Sequence, residues 1–238
     1  MASVPSPAEG NVIVTKALLE TLVAKKEFRH IITTVPGVFQ MGTMWLDPNT
    51  NIGLEHHDKA VQTFEVIWGN GRMTLGTADK DFSAGDFVTV PPGFVHDVTA
   101  GPHGIFLRTT YSPPQHLHNT IHTTRLEGTL EDQVVDTVEG LVSGGIDQVK
   151  KRALVERESW GYQIYPFIFY DIKDNQAKYK ATVALLPRIN KALATFGYRV
   201  HSVDINKNRF DVHKPDAPEK WSAPTRIWMD GAWRAEIA

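Results

Sequence analysis

Apolar residues change period along the chain. Between Thr15 and Phe28, the residues Ala17, Leu18, Leu19, Leu22, Val23 and Ala24 recur at helical spacing. Thr15 can accept from the free N–H groups of a first turn, so the pattern predicts an amphipathic helix. The spacing then shortens. His30–Val35 and Val38–Leu46 are β-prone runs separated by Pro36-Gly37, and residues 47–51 form a polar loop. From Ile52 to Thr110 the pattern is strand, turn, strand throughout. Phe64–Trp68 and Arg72–Leu75 flank Gly69, Asn70 and Gly71, a composition that predicts a hairpin turn because Asn and Gly tolerate positive φ. Phe87–Val90 and Ile105–Tyr111 read as further strands. Short strands this closely spaced, with Gly, Pro and Asn at the corners, predict an antiparallel barrel or sandwich.

After Pro113-Pro114 the pattern is mixed. Leu130, Val134, Val135, Val138, Leu141 and Val142 predict a helix ended by Gly144-Gly145. Tyr162–Tyr170 and Lys178–Leu186 read as extended. Ile189–Phe196 reads as a short helix stopped by Gly197, and Tyr198–Ile205 and Arg226–Met229 as strands. The expected division is a lead-in helix and strand over 1–40, a barrel over 41–125, and a helical linker with an extension packing on the barrel over 126–238.

Composition narrows the function classes. The 238 residues are 42% hydrophobic and 22% charged, with a formal net charge of −2, so no global electrostatic footprint for nucleic acid exists. The absence of cysteine excludes disulfides, thiolate ligands and cysteine nucleophiles. Residues 1–10 lack the basic and apolar regions of a secretory signal, and no run approaches the roughly 18 apolar residues that cross a bilayer. The expectation is a soluble cytoplasmic protein whose partner is a small molecule, with neither nucleic acid nor membrane. An open barrel leaves sheet edges to cover, which makes a homodimer the expected assembly. No nucleophile elbow, Walker loop or dinucleotide fingerprint is present.

The most specific segment runs from Gly85 to His96. Gly85 is followed by five residues, Pro91, one residue, Gly93, two residues and His96. This resembles the second motif of the cupin family at every fixed position. The first cupin motif is present upstream in altered form. The family pattern is His, any residue, His, then a Glu several residues on, then Gly. Counting back from Gly69, Gln62 falls at the Glu position, His57 at the second His and Glu55 at the first His. Strand alternation supports this register, because residues 55 and 57 share a face while His56 points the other way. The resemblance implies a mainly β fold, a jelly-roll barrel with flanking helices, and an α+β C-terminal extension or a degenerate second barrel.

The candidate site is therefore Glu55, His57, Gln62 and His96, where the family usually offers three His and one Glu. Glu55, His57 and His96 would hold one divalent transition metal: Fe, Mn, Ni, Zn or Cu. Glu55, Gln62 and His96 are the catalytic candidates, Gln62 being a neutral ligand or a hydrogen-bond donor to substrate. The alternative is a metal-free site in which Glu55 is the base and His57 or His96 the acid. Within the cupins the chain looks most like fungal quercetinase-type dioxygenases, through Glu55 to Gly71 and again at Trp160–Ile164. The resemblance implies oxygenase chemistry on a small aromatic or polyketide-like molecule. In those enzymes the motif Glu is the base, and Gln62 cannot accept a proton, so Glu55 would take over.

Other residues carry weaker signals. His116, His118 and His122 form a dense group that reads as loop surface, as a second ligand set or as a flap over the barrel mouth. Phe64, Phe94 and Phe106 are candidate substrate-contacting walls, with Phe87 a further one. Three functions remain open from the residues: a metal-dependent dioxygenase, a metal-free isomerase, cyclase, lyase or decarboxylase, and a non-catalytic binding cupin.

Overall fold

The computed structural model describes residues 13–117, 120–144, 152–214 and 225–237. The chain divides into two compact units at Arg125 and Leu126.

In the first unit, helix α1 (Lys16–Lys25) begins at Thr15, whose hydroxyl accepts from the Leu18 N–H at 3.2 Å. Seven antiparallel strands form one curled sheet; six follow the order β4-β3-β6-β2-β1-β7, and β5 pairs with β3. They are β1 (Arg29–Val35), β2 (Phe39–Leu46), β3 (Val61–Leu75), β4 (Ala78–Ser83), β5 (Phe87–Val90), β6 (His96–Ser112) and β7 (Ile121–His122). β1 therefore belongs to the same sheet as the motif strands. β3 and β6 do most of the folding-over. The start of β3 pairs with the end of β6 and with β5, while its end pairs with the start of β6 and with β4. This is jelly-roll construction.

The sequence reading of a hairpin at Gly69, Asn70 and Gly71 is wrong. β3 runs straight through these residues, and the ladder to β6 slips there, with register shifts at Val66/Trp68 and Gly69/Gly71. The glycines serve a bulge and a close approach. Gly69 has φ +84°, and a Cβ on Gly71 would lie 2.3 Å from the Thr99 carbonyl oxygen. The turn itself falls at Gly76 and Thr77, between β3 and β4.

Two apolar clusters flank the sheet. Inside the roll lie Met44, Leu46, Phe64, Val66, Met73, Phe82, Val98, Ile105 and Leu107. Outside it, α1 lays Leu18 and Leu22 over Ile32, Trp45 and Phe106. The inner face changes character along its length. Gln40, Gln62, His96 and Thr109 are fully buried toward one end, and that polar end carries the site.

The second unit is α+β. Helix α2 (Arg125–Ser143) precedes β8 (Ala153–Glu158) and β9 (Gly161–Pro166). A single helical turn, α3 (Ile168–Asp171), and helix α4 (Asn175–Ala194) follow. Then come β10 (Arg199–Asp204), β11 (Arg209–His213), β12 (Thr225–Met229) and β13 (Ala232–Ile237). The strands form one sheet in the order β13-β12-β10-β11-β9-β8, antiparallel except where β10 meets β12. This is the extension alternative, and no second barrel forms among the described residues. Three element readings change here. Lys178–Leu186 is helical, and it joins Ile189–Phe196 in α4. Asp174 caps that helix through the Gln176 N–H at 2.8 Å, and Ala181, Leu185, Leu186, Ile189 and Leu193 bury one face. Tyr162–Tyr170 is extended only as far as Pro166.

Candidate metal centre

The site is assembled by a short bridge ahead of β3. The Glu55 N–H donates to the His96 carbonyl at 2.9 Å, and the His96 N–H returns to the Glu55 carbonyl at 2.8 Å. This pairing sets Glu55 against His96, the first residue of β6. Alternation puts His57 on the same side, and the His57 carbonyl accepts from the Gly93 N–H at 2.8 Å. His56 goes elsewhere, its Nε2 lying 3.0 Å from Asp58 Oδ1. The turn at Pro91 to Gly93 delivers His96 into the roll, where it is fully buried.

Glu55, His57 and His96 converge. Glu55 Oε1 lies 3.6 Å from His57 Nε2 and 3.4 Å from His96 Nε2. One ligand atom from each of the three fits within a mutual spacing of 4.8 Å. His57 is nearly buried, with 9% of its side chain exposed, while 35% of the Glu55 side chain remains exposed, so the triad is open on the Glu55 side.

Gln62 completes the cluster from β3. Its Oε1 lies 2.8 Å from His96 Nε2, and its amide donates to Tyr111 Oη at 3.1 Å and to Thr109 Oγ1 at 3.3 Å. His96 Nδ1 sits 3.0 Å from the Phe94 carbonyl, an acceptor only. Protonated, His96 donates from both nitrogens. Deprotonated, it keeps Nδ1–H on Phe94 and turns an Nε2 lone pair toward Glu55.

The charges lock together. Burial alone would raise the Glu55 carboxyl, but the His57 and His96 imidazoles beside it outweigh burial and hold Glu55 well below the usual carboxylate range. Burial likewise lowers His96, yet the hydrogen bond and charge of Glu55 leave it net raised. Asp97 beside it is raised by burial, and its Oδ1 accepts from the Gly53 N–H at 3.1 Å.

The aromatic expectations divide. Phe64 is fully buried with its ring 5.9 Å from the His96 ring, so it floors the site. Phe106 does not line the interior. It packs under α1 on the outer face, because both faces of β6 are covered at that point. Phe94 is 51% exposed on the turn before His96, and Phe87 is 62% exposed on the outer face opposite Glu65, so neither is an interior wall. Tyr111 was not among the candidates. Its ring stands edge-on to His57 at 5.5 Å and to His116 at 4.8 Å. The signal for it was the alternation of Thr109 and Tyr111 with Leu107 along β6.

The histidine group downstream is scattered. His116 Nδ1 accepts from Arg29 Nη1 at 2.9 Å, and its backbone is clasped by the Gln40 side chain, which donates to the His116 carbonyl and accepts from its N–H. His122 is buried in β7, and His118 lies outside the described residues. Neither His116 nor His122 joins the triad.

The triad fits a metal. Both His57 nitrogens are buried with no hydrogen-bond partner, and imidazole and carboxylate are the donors that Zn, Fe, Mn, Ni and Cu accept. An orphaned buried imidazole is costly unless something binds it.

No protein-family model and no curated protein matches the sequence. Solved structures do. A Bacillus halodurans protein is 23% identical, covering 51% of this chain and 96% of its own, with a TM-score of 0.47. KdgF from a Halomonas species is 20% identical over 36% of this chain and 79% of its own, with a TM-score of 0.35. An RmlC-like cupin from Shewanella frigidimarina is 24% identical over 37% of this chain and 77% of its own, with a TM-score of 0.34. The structural neighbours include cupin and double-stranded β-helix proteins. No helix among the described residues is long and apolar enough to cross a membrane.

Proposed function

We propose that the chain is an enzyme that holds one divalent transition metal through Glu55, His57 and His96 and acts on a small aromatic or polyketide-like molecule by oxygenase-type chemistry. The observation that carries this reading is the convergence of two imidazoles and a carboxylate, with both His57 nitrogens buried and unbonded. A metal held by these residues would supply a Lewis-acidic centre and, if redox-active, chemistry with oxygen.

The protein's own groups then have distinct tasks. The Phe94 carbonyl fixes the His96 tautomer. Gln62, held by Tyr111 and Thr109, presents an amide beside the metal position and orients what binds there. Phe64 and the apolar interior keep water out on the inner side. The metal-free alternative needs Glu55 as a general base. Two imidazoles hold Glu55 so firmly as a carboxylate that it is a poor proton acceptor near neutral pH, which favours the metal reading.

The test is metal analysis of protein purified without an affinity tag, joined to oxygen uptake with a panel of phenolic substrates. About one metal per chain, with uptake abolished by chelator and restored by the metal, is expected. Metal-free protein that turns over substrate unchanged in chelator would remove this reading.

A further inference from the structure

Glu55 and His57 lie on residues 47–60, between β2 and β3 and in neither strand. This segment meets β6 at two isolated bridges, Asn51 with Thr99 and Glu55 with His96. Asn51 to Glu55 is four steps along the segment, while Thr99 to His96 is three along β6, so one residue is extra, as in a β-bulge. Gly53, with φ +92°, lies inside that stretch. Side chains alternate, so a one-residue slip there would turn Leu54 or His56 toward His96 in place of Glu55. The ligand set therefore depends on this register. Side chains hold the peptide group that joins Ile52 to Gly53 at both ends. Its N–H donates to Asp97 Oδ1 at 3.1 Å, and its carbonyl accepts from Arg125 Nε at 3.1 Å. Arg125 Nη2 lies 2.5 Å from where a Cβ on Gly53 would stand, so the glycine also makes room for the guanidinium. Leu54, next in the chain, is 69% exposed and adds no apolar anchor. Arg125 is the last residue of the first unit and begins α2.

We propose that Arg125 is a positioning residue for the metal centre: with Asp97 it clamps the Ile52–Gly53 peptide, fixes the register of the bulge and so presents Glu55 and His57 to the ion. This rests on the metal reading above. Arg125 touches neither ion nor substrate and acts through the backbone of the segment. Its guanidinium keeps its charge and its donors at every pH at which the protein is folded. Opposite charges on Arg125 and Asp97 bracket one neutral peptide, each taking the group that matches it.

The test compares the wild type with Arg125→Met, which keeps an apolar stem and removes every donor, and with Arg125→Lys, which keeps one donor for the Ile52 carbonyl. Arg108→Ala is the control, since it removes a guanidinium paired with Glu65 on the outer face of the roll. Without metal, amide exchange at Gly53 and Glu55 should quicken about tenfold in Arg125→Met, with residues 61–75 unchanged. Zinc affinity, measured by competition against a chromophoric chelator, should fall about tenfold, the low end for losing an outer partner of a metal site. Arg125→Lys should lie between the two on both readouts, and Arg108→Ala should bind zinc as the wild type does. Unchanged exchange at Gly53 and Glu55, or unchanged zinc affinity in Arg125→Met, overturns the positioning role while sparing the metal reading. Exchange that quickens equally throughout β3 and β6, or failure of both Arg125 variants to fold, makes Arg125 a residue of the fold and overturns it too. Wild-type protein that binds no zinc, iron, manganese, nickel or copper overturns the metal reading and the positioning role together.

Discussion

Gln62 occupies the position where the cupin pattern has an acid, and its surroundings decide what restoring that acid would do. The amide donates to Tyr111 Oη and Thr109 Oγ1 and faces His96 Nε2 through its oxygen. A carboxylate there loses both N–H donors, but the two hydroxyls can reverse roles and donate to it. Gln62→Glu therefore keeps the side chain satisfied and adds an anionic oxygen beside the metal position. Metal affinity should rise by about tenfold, equivalent to about 1.4 kcal/mol, measured by competition against a chromophoric chelator. An unchanged or weaker affinity would show that the fourth position is not a ligand position at all. The three residues that converge were legible in the sequence: His96 from the spacing of Gly85, Pro91 and Gly93, and Glu55 and His57 from their spacing to Gly69, with period-two alternation separating them from His56. Phe106 was not legible, because Ile105, Phe106 and Leu107 are all buried and alternation disappears where α1 covers the outer face. Tyr111 was missed for a different reason: an aromatic at a strand end carries no motif, and its importance lies in pairing with Gln62 across the ladder.

At the level of elements, the sequence gives strand and helix existence more readily than their joins. Asn-Gly flanked by apolar runs usually means a two-residue turn, yet here the glycines let β3 cross over β6 at close range. The distinction is tertiary, since it depends on the Thr99 carbonyl lying where a Cβ on Gly71 would go. The same fact yields a prediction. Gly71→Ala must push β3 from β6 beside the bulge, so it should destabilise the protein by roughly 1–3 kcal/mol, the usual range for overpacking. Denaturant unfolding checks it, and a cost below about 0.5 kcal/mol would mean the ladder yields there without strain. Helix α4 was misread for a related cause. Thr182, Val183, Ala184 and Leu185 look β-prone locally, and only the longer set Ala181, Leu185, Ile189 and Leu193 shows the helical stripe. The end of β9 at Pro166 follows from proline's missing N–H, which stops the ladder.

For the molecule as a whole, the two compact units make a spatial control for ligand binding available inside one chain. All three candidate ligand residues belong to the first unit: Glu55 and His57 precede β3, and His96 begins β6. A metal that binds only the folded triad stabilises the structure holding it by RT ln(1 + [metal]/Kd), about 2.7 kcal/mol at a hundredfold excess over Kd. Opening of β3 and β6 separates Glu55 from His96 and so must release the ion, whereas local opening of β10 and β11 leaves all three ligands in place. Saturating zinc should therefore slow amide exchange in residues 61–75 and 96–112 by up to about a hundredfold, the exchange equivalent of that energy. Residues 199–213 should be protected little if at all. His57→Ala should abolish the zinc effect, because it leaves only Glu55 and His96 of the candidate set. Equal protection of both strand pairs in zinc would place the ion, or the cooperativity, elsewhere. A zinc effect that survives His57→Ala would remove that residue from the ligand set.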